Sequence, residues 1–225
     1  MQTDLSLKAE INLYYDLLLP ENQSKPAPLL LAVHGYGAHK RYMMREAQSV
    51  APDGFAIASI QAPHQHFRPT ANGYRVGFGW LTDYKSDESV ALHHEFVTRV
   101  IEKLVAEKLV DPKAIYLYGF SQACALNFRY ALTFPEIPRG VIGVCGGVPN
   151  DLETSHSFKR LDAETLYLYN TDDEFYPLEK YESYAARLKG FVPNLTTRVY
   201  ESKHEIVEPM RTDIRQWLKE MAEGS

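Results

Sequence analysis

The sequence predicts an α/β protein with a mainly parallel central sheet and helices on both of its faces. Three observations carry this. Short apolar runs alternate along the chain with longer segments of helical period, the pattern of strand–helix–strand units. One run, Leu29-Leu30-Leu31-Ala32-Val33, is apolar without a break, as a strand covered on both faces is. The third is Gly119-Phe120-Ser121-Gln122-Ala123, set between the strand-like run Ala114-Ile115-Tyr116-Leu117-Tyr118 and a helix-like run over 124–132. A serine on such a strand-to-helix corner sits in a tight turn that lifts its hydroxyl clear of the backbone. The plainer reading is a turn serine that caps the helix.

The elements follow in order. In the first twenty residues Leu5, Leu7, Ala9, Ile11 and Leu13 alternate with polar neighbours, which predicts a half-buried strand or hairpin. Residues 23–28 form a polar, proline-bearing loop before the 29–33 strand. A helix is expected over 40–50 and a second buried strand over 55–60. Residues 61–85 read as one long loop carrying His64, His66, Phe67, Tyr74, Phe78, Trp80 and Tyr84. Loops of that length in compact domains tend to be functional, and the aromatics favour an ordered one. Ser86-Asp87-Glu88 opens a long helix to about residue 109, with Val90, Val97, Ile101 and Leu104 at helical spacing, closed by Asp111-Pro112. Strands are expected over 141–145, 165–169 and 196–200, and helices over 178–188 and 207–221. With no internal repeat and no compositional break, one domain over 1–225 is the expectation.

Composition narrows the function classes. A formal net charge of −5 with acidic and basic residues interspersed argues against nucleic acid as the main partner. The first ten residues lack the basic region and apolar run of a signal peptide, and no apolar stretch approaches bilayer length. A cytoplasmic protein without stable membrane insertion is expected. Cys124 and Cys145 fall in a helix-like and a strand-like run and read as buried free thiols. Whether the chain forms a homo-oligomer is not legible in the pattern.

A serine hydroxyl needs an adjacent base, itself held by a third group. Functional groups of open parallel sheets gather at the carboxyl ends of strands. Of eight histidines, His204 lies just after the 196–200 strand and before the last helix. The intermediate strand runs into Asn170-Thr171-Asp172-Asp173, so the acid is Asp172 or Asp173. The order Ser121, acid, His204 is that of the nucleophile-elbow class. An oxyanion needs preorganised N–H donors. The amide of Gln122, directly after the serine, supplies one. Tyr36 in the loop His34-Gly35-Tyr36-Gly37 supplies the other, with Gly37 as the alternative.

With these residues the chain resembles the serine α/β-hydrolases, and within them the phospholipase/carboxylesterase group that includes acyl-protein thioesterases. The resemblance rests on Val33-His34-Gly35-Tyr36-Gly37, on Asp111-Pro112 leading to Tyr118-Gly119-Phe120-Ser121-Gln122, on Gly146-Gly147-Val148-Pro149, on 173–177 and on His204-Glu205-Ile206. It implies an α/β-hydrolase fold with little or no cap domain and a cofactor-free esterase with a Ser-Asp-His triad. The family places its acid four residues before a proline, and Pro177 thereby selects Asp173. Ala123, Asn170 and Lys203 each stand where the family often has glycine.

The remaining candidates are weaker. His64 and His66 lack accompanying ligands at metal spacing, so no metal is expected. His94, in register with Val97 and Ile101, reads as a histidine at the edge of the core. Trp80, Phe78 and Tyr74, together with Val148, are the candidate substrate-pocket residues, although the aromatics could equally pack the loop onto the body. The expected activity is hydrolysis of small-molecule carboxylic esters of short to medium acyl length. A thioesterase, lysophospholipase or peptidase on the same scaffold is the alternative, and a non-catalytic binding protein a more distant one.

Overall fold

In the computed structural model, which describes residues 1–21 and 25–224, seven strands form one sheet in the order β1-β3-β2-β6-β7-β8-β9. The elements are β1 (Tyr15–Leu18), β2 (Ala27–Val33), α1 (Lys40–Val50), β3 (Ala56–Ile60), β4 (His64–Thr70), β5 (Gly73–Gly79) and α2 (Ser86–Ala106). They continue as β6 (Val110–Phe120), α3 (Gln122–Thr133), β7 (Gly140–Val144), β8 (Glu164–Asn170), α4 (Leu178–Lys189), β9 (Leu195–Tyr200) and α5 (Glu208–Glu223). Every pairing in this sheet is parallel except β1 with β3.

Strand alternation divides the core into two layers. Leu29, Leu31 and Val33 of β2 join Ile115 and Leu117 of β6 and Tyr167 and Tyr169 of β8 beneath α2, α3 and α4. The intervening Leu30, Ala32, Tyr116, Tyr118, Leu166 and Leu168 pack on Met43 and Ala47 of α1 and on Met210, Ile214 and Leu218 of α5. Both faces of the central strands are therefore apolar, which explains their unbroken hydrophobic runs. From β2 the chain goes first to β3 on one side and then to β6 on the other. The carboxyl ends of β2 and β6 flank that switch point, where open parallel sheets form their clefts.

Three expectations need correction. The alternating first twenty residues do not form a long strand: only Tyr15–Leu18 pairs, with β3, and Leu5, Leu7 and Ile11 stay exposed. Alternation without a partner edge gives no ladder. The predicted 23–28 loop falls partly outside the described residues, and its end, Ala27-Pro28, already belongs to β2. The 61–85 segment is not a loop: β4 and β5 pair antiparallel from His64↔Gly79 to Thr70↔Gly73. Its two-residue turn is Ala71-Asn72, followed at the start of β5 by Gly73 at φ +108, a conformation that favours glycine. His94 lies at the edge of the core as expected, half-buried with its ring edge-on to Tyr130 at 5.4 Å, while the neighbouring His93 is fully buried and meets Trp80 edge-on at 5.0 Å.

Among the described residues no helix is long and apolar enough to cross a membrane. Cys124 and Cys145 are free and buried.

Candidate active site

Ser121 occupies the one-residue corner between β6 and α3, at φ 57 and ψ −121. A non-glycine residue there is strained, and the surroundings must hold it. The Ser121 amide donates to the Val144 carbonyl, 2.9 Å, and the Ser121 carbonyl accepts from the Cys124 amide, 2.9 Å. Gly146 permits the close approach: a Cβ there would lie 2.1 Å from the Ser121 carbonyl oxygen. Ala123, in the usual glycine position, is fully buried in the core cluster, and β6 and α3 run regularly on either side of the corner. Its methyl fits.

The loops after β8 and β9 bring two further groups to this corner. His204 Nε2 lies 2.8 Å from Ser121 Oγ, and its Nδ1 lies 2.7 Å from Asp173 Oδ2. Asp173 is only 7% exposed. Its Oδ1 accepts from the Phe175 and Tyr176 amides at 2.8 and 3.0 Å, and its Oδ2 from the Tyr181 hydroxyl at 2.5 Å. Burial alone pushes this carboxyl up, but the bonds from Tyr181, His204 and the Phe175 amide outweigh it. The net result is a carboxyl held below its ordinary range. Asp172 is exposed, and its amide donates instead to the Ser202 carbonyl. Of the two acids, Asp173 is the one in contact with His204.

The backbone around His204 is fixed by residues the sequence reading did not single out for this role. Its own amide donates to Glu174 Oε2, 3.0 Å. Asn170, fully buried at the end of β8, donates from Nδ2 to the carbonyls of Lys203 and Glu205 on either side of the histidine. A glycine at 170 could make neither bond. The signal was its position: a buried amide beside a functional loop needs partners.

On the other side of Ser121 lies the loop after β2. Gly37 donates its amide to Phe78 O, 2.7 Å, so that N–H is already engaged. The amides of Tyr36 and Gln122 find no acceptor among the described residues. The Gln122 side chain locks the corner to the hairpin exit, accepting from the Trp80 amide at 2.9 Å and donating to Leu81 O at 3.0 Å. His34 anchors the loop from below. Its Nδ1 donates to Gly35 O, 2.7 Å, so its Nε2 is the acceptor for the Ala62 amide, 3.1 Å, and the Gln61 side chain, 2.8 Å. Burial lowers its pKa to about 4, partly opposed by the Gly35 carbonyl and reinforced by nearby His39.

Ser121, His204, Tyr36 and Gln122 line a cleft of about 690 Å³. Val148, 3% exposed, lies in its wall with Leu126, Phe175 and Tyr184. The three aromatic pocket candidates do not. Trp80 is 1% exposed and its indole N–H donates to His34 O at 2.7 Å, making it packing beneath the loop. A buried indole needs such an acceptor. Phe78 turns its ring to His39, centroids 5.3 Å apart, outside the cleft. Tyr74 is 74% exposed near the hairpin tip, beside Phe67. His64 bonds Ser89 Oγ at 3.2 Å and His66 stacks on Tyr36 at 4.7 Å. Among the described residues no three His, Cys, Asp or Glu side chains gather as a metal site.

Chemically, the arrangement can pass a proton from a hydroxyl to an imidazole that a carboxylate orients, beside two unengaged amides. Comparison with known proteins agrees with the architecture. A carboxylesterase from Bacillus cereus superposes with a TM-score of 0.72 at 16% identity, covering 93% of this chain and 94% of its own. Esterase PE8 gives 0.74 at 20%, covering 94% of this chain and all of its own. At such identities the likeness is one of fold, that of the α/β-hydrolases. NocK of Nocardia uniformis subsp. tsuyamanensis, provisionally named an esterase, is 29% identical over 140 residues, 59% of this chain. The chain spans only about a third, 35%, of the length of that curated relative. The Phospholipase/Carboxylesterase family pattern matches residues 18–222, nearly the whole sequence, and the chain belongs to that family.

Proposed function

We propose that this protein is a serine carboxylesterase acting on small-molecule esters of short to medium acyl length. The observation that carries the reading is the unbroken contact from Ser121 Oγ to His204 Nε2 and from His204 Nδ1 to Asp173 Oδ2, at 2.8 and 2.7 Å, opening onto a cleft. Ser121 Oγ attacks the ester carbonyl carbon while its proton passes to His204 Nε2. The amides of Tyr36 and Gln122 hold the resulting oxyanion. Asp173 keeps the imidazole in the Nδ1–H tautomer and stabilises the imidazolium. Collapse of the tetrahedral species breaks the bond to the alkoxy oxygen, which takes the proton from His204 and leaves as the alcohol. Water, deprotonated by His204, then attacks the acyl-Ser121 ester, and the acid is released with the serine restored. Val148, Leu126 and neighbouring apolar residues give the cleft a wall for an acyl chain. The two buried free thiols fit a reducing cytoplasm.

The test is labelling by a fluorophosphonate probe followed by turnover of esters and thioesters of rising acyl length. The reading expects labelling that disappears in Ser121→Ala and turnover of the shorter oxygen esters. Labelling that persists in Ser121→Ala, or labelling with no ester turned over, would refute it.

A further inference from the structure

The β4–β5 hairpin brings one charged group into the cleft. Alternate residues of a strand share a face, so His66 and Arg68 point to the same side of β4. That side lies on the loop after β2: His66 stacks on Tyr36, and a Cβ on Gly77, opposite His66, would come 3.0 Å from Gly37 O. Arg68 extends over Gly37. A Cβ on that glycine, which stands at φ +73, would meet Arg68 Cδ at 3.3 Å and Nη1 at 3.8 Å. The guanidinium is thus held one residue beyond the Tyr36 amide and lines the same cleft as Ser121 and His204.

The charges facing it leave Arg68 uncompensated. Arg129, the other arginine in the cleft wall, is bound by both oxygens of Asp151. Asp87 also lines the cleft, but it sits in the first turn of α2, where the helix N-terminus favours a carboxylate. Among the described residues no carboxylate lies within ion-pair distance of Arg68. Exposed arginines are common on surfaces. This one differs in lying against Gly37, next to Tyr36, in the wall of the cleft that holds Ser121 and His204.

We propose that Arg68 selects esters carrying a carboxylate close to the scissile bond, such as half-esters of short dicarboxylic acids. The inference rests on the esterase reading above. A planar fork of N–H donors suits a carboxylate, and Arg68, although exposed, offers that fork in the wall of the cleft that holds Ser121.

The test compares kcat/KM for two isosteric pairs. Monoethyl succinate against ethyl 4-methylpentanoate places the charge on the acyl side, and carboxymethyl butyrate against isobutyl butyrate places it on the alcohol side. Wild type is expected to favour the anionic member of one pair by about tenfold, the scale of a partly solvated charge-assisted hydrogen bond. That ratio should fall to about one in Arg68→Ala, be partly kept in Arg68→Lys, invert in Arg68→Glu and shrink in 0.5 M salt. Because each ratio is taken within one preparation, a general loss of activity cancels. Neutral esters cleaved with no anionic preference in either pair, or a preference that survives Arg68→Ala, overturns the role of Arg68 and leaves the esterase reading standing. If none of the four esters is cleaved, the esterase reading falls and takes this inference with it.

Discussion

Acidification should destabilise the fold through His34, which anchors the loop after β2 from below. His34 is fully buried, and its Nε2 lone pair faces two donors, the Ala62 amide and the Gln61 side-chain amide. Protonation there would set N–H against N–H in a place water does not reach. Its pKa is lowered by burial from 6.5 to about 4, so between those values the unfolded chain binds a proton that the folded one refuses. Stability therefore rises with pH across that window and is lost as pH falls. With those two values the loss from His34 is about 2 kcal/mol by pH 5 and about 3 kcal/mol by pH 4. His93 and His94, also lowered by burial, act in the same direction, so wild type alone does not isolate the effect. Urea unfolding of wild type and His34→Gln at pH 7 and pH 5 does. A glutamine oxygen can accept from Ala62 without titrating, so the advantage of wild type over the variant should shrink by about 2 kcal/mol at the lower pH. A gap that stays constant within about 0.5 kcal/mol would refute a neutral, buried His34.

Two further substitutions probe the supports of the site. Tyr181→Phe removes the hydroxyl that donates to Asp173 Oδ2 at 2.5 Å and should cost about 1.5–3 kcal/mol at pH 7. Because the Asp173 carboxyl is held below its ordinary pKa, that advantage is present above about pH 4 and fades as the group protonates below it; a cost independent of pH would assign Tyr181 to packing alone. Ala123→Gly deletes a fully buried methyl at the start of α3 and should destabilise by about 1–2 kcal/mol in the same assay. A more stable variant would mean that the methyl strains the corner.

The parts of the molecule that declared themselves in the sequence are those where one physical requirement dominates. A continuous apolar run over 29–33 marks β2 because both faces of a parallel strand are covered, and helical spacing marks α2 because one stripe meets the core. Ser121, Asp173 and His204 follow strands in the required order, so their convergence could be anticipated from position alone. The hairpin could not be read this way. Its strands hold His64, Gln65, His66, Arg68 and Arg75, and their pairing partners are each other rather than the core, so hydrophobic period gives no sign of them. The only local mark of the turn is Asn72 followed by Gly73, where the second strand begins. Trp80 was legible as a large apolar residue near the site but not as one pointing inward, because its direction is set by the His34 carbonyl across 46 residues. Asn170 and Lys203 were visible only as missing glycines; that Asn170 bonds the Lys203 carbonyl is a tertiary fact.

The central claim is that Ser121, His204 and Asp173 work as one unit. Single-turnover kinetics of Ser121→Ala, His204→Ala and the double variant on one ester test it most directly. Each single change is predicted to lower the acylation rate by about four orders of magnitude or more, with the double variant within a few-fold of the slower single one. Losses that multiply in the double variant would contradict the account, because they would mean that the 2.8 Å contact between Ser121 and His204 carries no proton during acylation.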